Sequence, residues 1–354
     1  MKISLCMIVK DEEGVLARCL DCAVQFVDEI VLVDTGSSDN TMEIARRYTP
    51  RVYEFQWIDD FSAARNYAFS KATGDYILWL DADDVVDDEN IGKLEELKES
   101  MDPEVDVAML KYNVGFDEAG RVNFSYYRER LVRRSNNYRW QEPVHEHIAT
   151  WGTVRRYDIA ITHGKKKRSY SRRNLEIYQK QEREGKDLSP RAIYYYAREL
   201  RTHGLIDESI SRYEQFLAIP GVWVEDYITA CGDLAGCYRS QGRTQEAMER
   251  LMLSFSRALP RAEICCAIAD IYREQNDGDK AEFWYKLVFS LPRPTGTGFL
   301  SLDFWDYIPH MQLCVLCDRR GDRRQALEHH TAAKALKPDD PKVLYNEAYF
   351  FPAE

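Results

Sequence analysis

The stretch that most constrains this chain is DYILWLDADD, at residues 75–84. Its first half is a short apolar run that stops at a polar cluster, a pattern typical of a buried strand. The carboxylates of Asp81, Asp83 and Asp84 follow directly. Like charges crowded together repel one another unless a cation lies among them, so the stretch indicates a divalent metal site. The alternative is an acidic cap on the next helix, because Asp also favours helix N-termini.

Strands and helices alternate through residues 1–165, which predicts an α/β fold with a mostly parallel sheet. In an open sheet of this kind, ligands bind at the carboxyl ends of the strands. Polar residues follow three strands, at Glu12, Asp34 and Asp81, so a nucleotide crevice is predicted there. The predicted strands are Ile3–Val9, 29–33, 52–55, 76–80, 105–112 and 157–162, and the predicted helices are 15–27, 42–48 and Phe61–Lys71.

The sequence contains neither of the two glycine motifs that usually bind nucleotide phosphates. Both G-x-G-x-x-G and the P-loop pattern G-x-x-x-x-G-K-[ST] are missing. A metal and an arginine would therefore have to hold a diphosphate. Arg65, in the predicted helix Phe61–Lys71, offers a planar guanidinium that can bind a diphosphate through two hydrogen bonds.

Three segments resemble, in order, the successive motifs of family 2 glycosyltransferases: DTGSSDNT at 34–41, FSAARN at 61–66 and DAD at 81–83. The resemblance covers residues 3–165 and implies the GT-A fold, a UDP-sugar donor, and Mg²⁺ or Mn²⁺ held by Asp83. The family often has a second Asp where Thr35 stands here, so it stays open which group contacts the base. The other implied donor contacts are Ile8 and Glu12 at the base and ribose, Asp34 at the base or ribose, Arg65 at the diphosphate, and Asp81 at the ribose or metal.

The segment 138–147, YRWQEPVHEH, supplies the candidates for acceptor chemistry. An inverting transfer needs a base that takes the acceptor proton while the diphosphate leaves. His145 and Glu146 resemble the family's Val-His-Glu segment, which implies that Glu146 is the base and that His145 orients the site or contacts the acceptor. The reverse assignment stays open, and so does a plain surface ion pair.

His163 follows the last predicted strand of this half. It resembles the histidine that closes over the metal and diphosphate in this fold, while a purely structural histidine is the alternative. The basic residues 165–168, Arg172 and Arg173 come next. They form either a solvated face or, beside a diphosphate site in an acidic protein, a surface that attracts the donor.

The remainder of the chain has helical periodicity and resembles tetratricopeptide repeats. Small residues allow paired helices to approach closely, and a turn residue ends the first helix of each pair. About four repeats are predicted, with an insert at 293–304 whose Phe304 and Trp305 are candidates for exposed contacts; Trp223 and Trp284 are predicted to be core. The turn residues are Gly204, Gly242, Asn276 and Gly321; each follows a small residue by seven positions and precedes another by five, in the pairs Ala197/Ser209, Ala235/Ala247, Ala269/Ala281 and Cys314/Ala326.

Length and composition limit the classes of protein that fit. A chain of 354 residues favours two domains; we predict a GT-A domain at 1–168, a connecting helix at 169–190 and an all-α repeat domain at 191–354. The net charge of −11 argues against nucleic acid as the partner. No apolar run approaches the ~18 residues of a membrane span. Nine cysteines without a secretion signal indicate the reducing cytoplasm, and their two C-x-x-C pairs fit helical core positions.

The order of motifs, with a repeat domain after them, resembles a narrower group of family 2 enzymes. That group includes sublancin-type peptide S-glycosyltransferases and flagellin-modifying enzymes, which implies a polypeptide acceptor. The sequence therefore predicts a metal-dependent inverting glycosyltransferase whose repeats bind a peptide or protein, or form a homodimer. One alternative is an enzyme of saccharide or surface-polymer synthesis, and another is an interaction protein with an inactive transferase domain.

Overall fold

The computed structural model describes residues 1–164, 171–293 and 300–352. The chain divides into two compact units. The N-terminal unit comprises Met1–Val114 and Ser125–Asp187, and the C-terminal unit comprises Gly115–Phe124 and Leu188–Glu354. The basic run 165–168 and positions 294–299 of the predicted insert lie outside the described residues.

A mixed, mostly parallel sheet forms the centre of the N-terminal unit, as predicted. Eight strands follow one another in the order β3-β2-β1-β4-β7-β6-β10-β5. The first four are parallel, β7 is antiparallel to β4, and β10 is parallel to β6 but antiparallel to β5. The strands are β1 (Ile3–Val9), β2 (Glu29–Asp34), β3 (Val52–Glu54), β4 (Tyr76–Trp79), β5 (Asp84–Val85), β6 (Val107–Phe116), β7 (Val122–Arg133), β8 (Trp140–Gln141), β9 (His147–Ile148) and β10 (Val154–His163), of which β8 and β9 pair with each other.

The strands β1, β2 and β4 are buried on both faces, which explains why they are almost continuously apolar rather than alternating. In β4, Tyr76 and Leu78 pack on the face covered by α1 and α4, while Ile77 and Trp79 pack with α3 and β8. Asp60 caps α3 by accepting a hydrogen bond from the Ala63 amide at 2.9 Å. The helices of this unit are α1 (Leu16–Ala23), α2 (Thr41–Tyr48), α3 (Phe61–Lys71), α4 (Asp88–Ser100) and α5 (Arg173–Arg183).

The C-terminal unit consists of helix pairs, and it confirms the predicted repeat pattern. The four turn residues all have left-handed φ, between 60° at Asn276 and 84° at Gly321. The small residues on both helices of each pair are fully buried, so the helices approach closely at these positions. The helices are α6 (Pro190–Thr202), α7 (Ile206–Leu217), α8 (Val224–Ser240), α9 (Thr244–Leu253), α10 (Ala262–Glu274), α11 (Gly278–Val288), α12 (Tyr307–Arg319), α13 (Arg323–Leu336) and α14 (Pro341–Phe350).

Two aromatic predictions for this unit are wrong. Trp305 is only 4% exposed, because it packs in a core cluster with Cys266 and Tyr285, and Phe304 packs against the same cluster. Trp223 is 46% exposed, because it directly precedes α8 and does not lie inside the helix as its spacing predicted. Helical periodicity identifies which residues share a face, but it does not show where an insert folds back.

The cysteines behave as predicted from their spacing. The pair 19/22 lies in α1 and the pair 314/317 lies in α12, and all nine thiols are free. Burial raises the pKa of most of them, including that of Cys231 to about 12, so they act as small core side chains. Within the part of the chain that the structure describes, no helix has the length and apolarity needed to cross a membrane.

Asp226 in α8 gives the C-terminal unit a pH-dependent stability. Burial raises the pKa of this carboxyl to about 6, although Arg191, 4.0 Å away, opposes the shift. The folded state holds the proton that the unfolded chain releases near pH 4, so wild-type stability falls as the pH rises between about 4 and 6. We expect Asp226→Asn to stabilise the protein by about 1–3 kcal/mol at neutral pH, and progressively less below about pH 6.

Thermal unfolding at about pH 5 and about pH 7.5 measures this effect. Asp279→Asn, at an exposed position of α11 in the same unit, is the matched control and should leave the melting temperature unchanged. A gain from Asp226→Asn of the same size at both pH values would contradict the assignment.

Candidate active site

The loops after β1 and β2 are joined into one rim at the carboxyl edge of the sheet. The Asp11 carboxylate accepts a hydrogen bond from the Ser38 amide at 2.7 Å. A second hydrogen bond joins the same two loops: the Glu12 amide donates to the Thr41 hydroxyl oxygen at 2.7 Å. These bonds bring Glu12 and Asp34, which the sequence assigned to the base and ribose pocket, onto the same edge. Ile8 lies half-buried in β1, opposite Val33 of β2.

Asp34 organises the loop that follows it. Its carboxylate is buried and accepts hydrogen bonds from the amides of Gly36 at 2.9 Å and Ser37 at 3.0 Å, and from the Ser37 hydroxyl at 2.5 Å. Gly36 adopts φ 103°, which side chains rarely tolerate. The DTGSS motif is thus a turn fixed by its own aspartate. The predicted contact of Asp34 with a base or ribose stays a prediction.

Arg65 in α3 connects the two carboxylates that the sequence placed on opposite sides of the reaction. Its Nη2 lies 2.7 Å from Asp81 Oδ1 and its Nε lies 2.7 Å from Glu146 Oε1. Burial alone would lower the pKa of Arg65, but these two carboxylates raise it, so the guanidinium stays charged. The indole rings of Trp79 and Trp140 lie 5.2 and 4.8 Å from its central carbon. The predicted contact between Arg65 and a diphosphate stays a prediction.

The remainder of the FSAARN motif anchors the loop that carries His145 and Glu146. The Phe61 amide donates to the Pro143 carbonyl at 2.9 Å, and the Ser62 hydroxyl donates to the Glu142 carbonyl at 2.5 Å. One turn later, Asn66 bonds both the amide and the carbonyl of Trp140, at 2.9 and 3.0 Å. Sequence reasoning missed this role, although the i, i+4 spacing of Ser62 and Asn66 puts both on one helix face.

The anchored loop has an unusual backbone. Glu142 and His145 both have positive φ, 71° and 53°, a conformation that non-glycine residues adopt rarely and mostly at constrained sites. The His145 ring stacks on Tyr178 of α5, with ring centres 6.4 Å apart. The Tyr178 hydroxyl donates to the Val144 carbonyl at 3.4 Å. Helix α5, predicted to be a connecting helix, therefore packs on this loop and belongs to the N-terminal unit.

Arg173, at the start of α5, is a second cation near Glu146. Burial of its guanidinium lowers its pKa, and the carboxylates of Glu146 and Glu12 partly oppose this shift. The same guanidinium lies 4.5 Å from the centre of the Phe61 ring. In the sequence Arg173 belongs to a basic run, whereas the structure places it near Glu146 and Phe61, among the candidate site residues.

Asp83, Asp84 and His163 form a cluster whose ligand atoms all lie within 4.8 Å of one another. Residues 84 and 163 are directly opposed in the antiparallel β5–β10 pair, so the backbone register brings them together. His163 Nδ1 lies 3.4 Å from Asp83 Oδ1, and this contact raises the pKa of the imidazole. Two carboxylates and an imidazole suit Mg²⁺ or Mn²⁺. The predicted metal residues, Asp83 and His163, are thus neighbours.

Gly164 and Asp81 are close in sequence to members of this cluster and differ in what they contact. The Gly164 amide donates to the Asp83 carbonyl at 2.8 Å, and a Cβ at position 164 would come within 2.5 Å of the same oxygen. Glycine is therefore required there. Asp81 lies apart from the cluster: burial would raise its pKa, but Arg65, Arg130 and Arg128 lower it to about 2, so this carboxylate is ionised.

A buried ion pair lies behind the cluster, and sequence reasoning did not find it. Arg130 Nη1 of β7 donates to Asp84 Oδ2 at 2.9 Å, and neither side chain is exposed at all. The rings of Trp79 and Tyr112 lie 3.8 and 4.2 Å from the guanidinium carbon. Tyr112 of β6 donates its hydroxyl proton to Asp84 Oδ1 at 2.9 Å. The signal in the sequence was the arginine-rich segment 124–132, but nothing there indicated which arginine is buried.

A sheet whose carboxyl-end loops carry these groups defines a GT-A-like domain. Residues 4–162 match the family model described as Glycosyl transferase family 2. The chain therefore carries a glycosyltransferase domain of family 2, as its motifs predicted.

Relatives fall into two kinds. A TPR repeat-containing protein of Synechococcus elongatus is 43% identical over 148 residues, which cover 41% of this chain and 35% of that protein. The glycosyltransferase SunS of the Bacillus subtilis SPbeta prophage is 36% identical over 91 residues, covering 25% of this chain and 21% of that protein. The chain thus spans only about a third or less of the length of these relatives. Among solved structures, residues 1–349 of S. aureus TarS overlap 79% of this chain and 91% of that one, with 17% identity and a TM-score of 0.37.

Proposed function

We propose that this protein is a metal-dependent inverting glycosyltransferase that moves a sugar from a UDP-sugar to a polypeptide side chain. The observation that carries the proposal is the double ion pair of Arg65 with Asp81 and Glu146, at 2.7 Å each. The charged Arg65 guanidinium binds both Asp81, on the donor side, and Glu146, the candidate base, and so fixes the position of one carboxylate relative to the other. Such fixed positioning is what a single displacement between two substrates requires.

In this proposal Glu146 accepts the proton of the acceptor nucleophile as the new glycosidic bond forms at the anomeric carbon. The bond from that carbon to the UDP oxygen breaks, and its electron pair leaves with UDP. Arg65 orients Glu146, and Asp83 and His163 would hold the metal. A bound divalent cation would supply charge stabilisation to the departing diphosphate. Arg173 faces the same carboxylate and adds positive charge on the acceptor side.

The proposal is most specific about the acceptor, which it identifies as a polypeptide. Helical repeats of the kind in the C-terminal unit commonly bind extended polypeptides along a concave surface. The resemblance to peptide-modifying family 2 enzymes points the same way. A cytoplasmic location accords with nine free thiols, which persist in a reducing compartment.

The direct test is release of UDP from a panel of UDP-sugars, with Mn²⁺ or Mg²⁺ added to the full chain. We expect slow, metal-dependent hydrolysis of one donor, which then serves for assays with peptides that carry Cys, Ser or Thr. Asp83→Ala should weaken metal-dependent UDP binding at least about tenfold, because one carboxylate ligand is lost.

Asp88→Ala is the matched control, since this exposed aspartate lies at the start of α4, outside the cluster. It should leave UDP binding and hydrolysis unchanged. Transfer to saccharides but not to any peptide would overturn the acceptor assignment. If calorimetry showed no binding of UDP with either metal, the glycosyltransferase proposal itself would fail.

A further inference from the structure

Two histidines of the C-terminal unit face each other, and none of the roles described above includes them. His310 in α12 and His329 in α13 belong to the paired helices on either side of the turn at Gly321. Their Nδ1 atoms lie 2.9 Å apart, with ring centres separated by 5.2 Å. Both side chains are half-buried, and the Phe289 ring lies 4.5 Å from the His310 ring and 6.5 Å from the His329 ring. Phe289 thus limits the movement of both imidazoles.

The separation of the two nitrogens fits two kinds of contact. In the first, one Nδ1 donates a hydrogen bond to the other, because a neutral imidazole has one donor and one acceptor nitrogen. In the second, both Nδ1 atoms ligate one cation, and each imidazole holds its single proton on Nε2. Two nitrogens that bind one ion at about 2.0–2.1 Å lie about 2.9 Å apart at an N–metal–N angle of about 90°, and about 3.3 Å apart at the tetrahedral angle. The observed distance therefore fits a right-angled metal site without any movement of the helices.

The surroundings keep the lone pairs of both imidazoles available. Burial lowers the pKa of His310, and the neighbouring His329 lowers it further. Burial also lowers the pKa of His329, and the positive charge of Lys286 adds to this shift. The groups that partly oppose these two shifts are three carboxylates, those of Asp306, Glu282 and Glu328. Both imidazoles are therefore neutral at neutral pH, and the neutral imidazole is the form that ligates metals.

We propose that His310 and His329 form a two-histidine site for a divalent transition metal of the Cu²⁺ or Ni²⁺ type. Imidazole nitrogen suits both ions, and both favour the right angles of square-planar or tetragonal sites. Among the described residues, no carboxylate or thiol lies close enough to both histidines to be a third ligand, so water molecules complete the coordination. The metal joins α12 to α13, and its binding does not depend on the proposed transferase function.

Calorimetric titration of the full chain, prepared without a histidine tag, with Ni²⁺ alone tests this site. Ni²⁺ is the probe because free thiols, of which this chain has nine, reduce Cu²⁺. His310→Gln and His329→Gln each remove one of the two ligands. We expect either change to weaken Ni²⁺ binding at least about tenfold, since even the loss of a group that only orients a ligand costs about 10–100-fold. The double variant should bind Ni²⁺ about as weakly as either single variant, because one histidine alone does not form the site.

Two control variants separate this site from other Ni²⁺ ligands of the chain. Asp83→Ala removes a ligand of the proposed donor metal and should leave intact the Ni²⁺ binding that His329→Gln loses. His203→Gln changes a histidine at the end of α6 that lies 3.8 Å from a single carboxylate, Glu199, and it should also leave this binding intact. In the wild-type protein, Ni²⁺ should raise the melting temperature, because the metal binds only the folded pair.

Unchanged Ni²⁺ binding in His310→Gln and His329→Gln would overturn the inference and leave the pair as a hydrogen bond only. An equal loss in His203→Gln would also overturn it, since no pair would then be needed. A folding defect in one histidine variant leaves the other as the test, and a wild-type protein that binds no Ni²⁺ contradicts the site without any variant. If Ni²⁺ binds as expected but no UDP-sugar is bound or hydrolysed, the proposed function fails and the two-histidine site stands.

Discussion

Glu146→Gln should reduce the rate of sugar transfer to the acceptor by about 10²–10⁴-fold, the usual contribution of a general base. Glutamine has nearly the same shape, and its amide oxygen can still accept the hydrogen bond that Arg65 Nε makes to position 146 at 2.7 Å. The loop should therefore keep its position, and UDP binding should not change. Single-turnover transfer, measured beside UDP binding by calorimetry, separates the lost proton acceptor from a lost binding contact.

His145 provides the decisive comparison, because the sequence left open which of the two neighbours is the base. Asn tolerates the left-handed φ of 53° at this position, so His145→Asn removes the imidazole without straining the loop. We expect a far smaller loss of rate from His145→Asn than from Glu146→Gln. Glu104→Gln, at an exposed site, is the surface control. A large loss in His145→Asn with little loss in Glu146→Gln would exchange the two roles.

Local patterns predicted the elements and the repeats well because both depend on nearby residues. Helix α3 has the predicted bounds, since Asp60 caps it and a break at Ala72 ends it. The four turns after the first helices of the repeats were found because a left-handed residue has a strong preference for Gly or Asn. In both cases the residues that determine the structure lie within a few positions of one another in the sequence.

The arrangement of the site was predictable only in part, because its contacts join distant segments. The polar residues that follow the predicted strands indicated that Asp34, Asp81 and Glu12 lie at one edge of the sheet, because the carboxyl ends of parallel strands lie on the same side. The partners of Arg65 were not predictable, because Glu146 is 81 positions away and a diphosphate is an equally good partner for arginine. Motif resemblance supplied the candidate site residues, and the structure shows which of these candidates contact one another.

Among the described residues, Arg130 and Asp84 form an ion pair in which neither side chain is exposed, so we expect this pair to be the most costly there to break from one side only. Arg130→Met leaves a buried carboxylate without its counter-charge, and Asp84→Asn leaves a buried guanidinium in the same position. Each change should destabilise the N-terminal unit by about 3–5 kcal/mol. The double variant should cost far less than the sum, because a buried pair replaced by neutral groups no longer contains any unpaired charge.

Hydrogen exchange of peptides from β4 and β7, read by mass spectrometry, reports the stability of this unit separately from that of the repeats. The matched control is Arg47 with Glu43, a pair at 2.7 Å whose side chains are 65% and 70% exposed. The corresponding substitutions there should show a coupling below about 1 kcal/mol. The two pairs have similar separations and opposite burial, so a large coupling only for the buried pair shows that desolvation makes the single variants costly. Equal, additive losses at both pairs would mean that Arg130 is not required to balance the charge of Asp84.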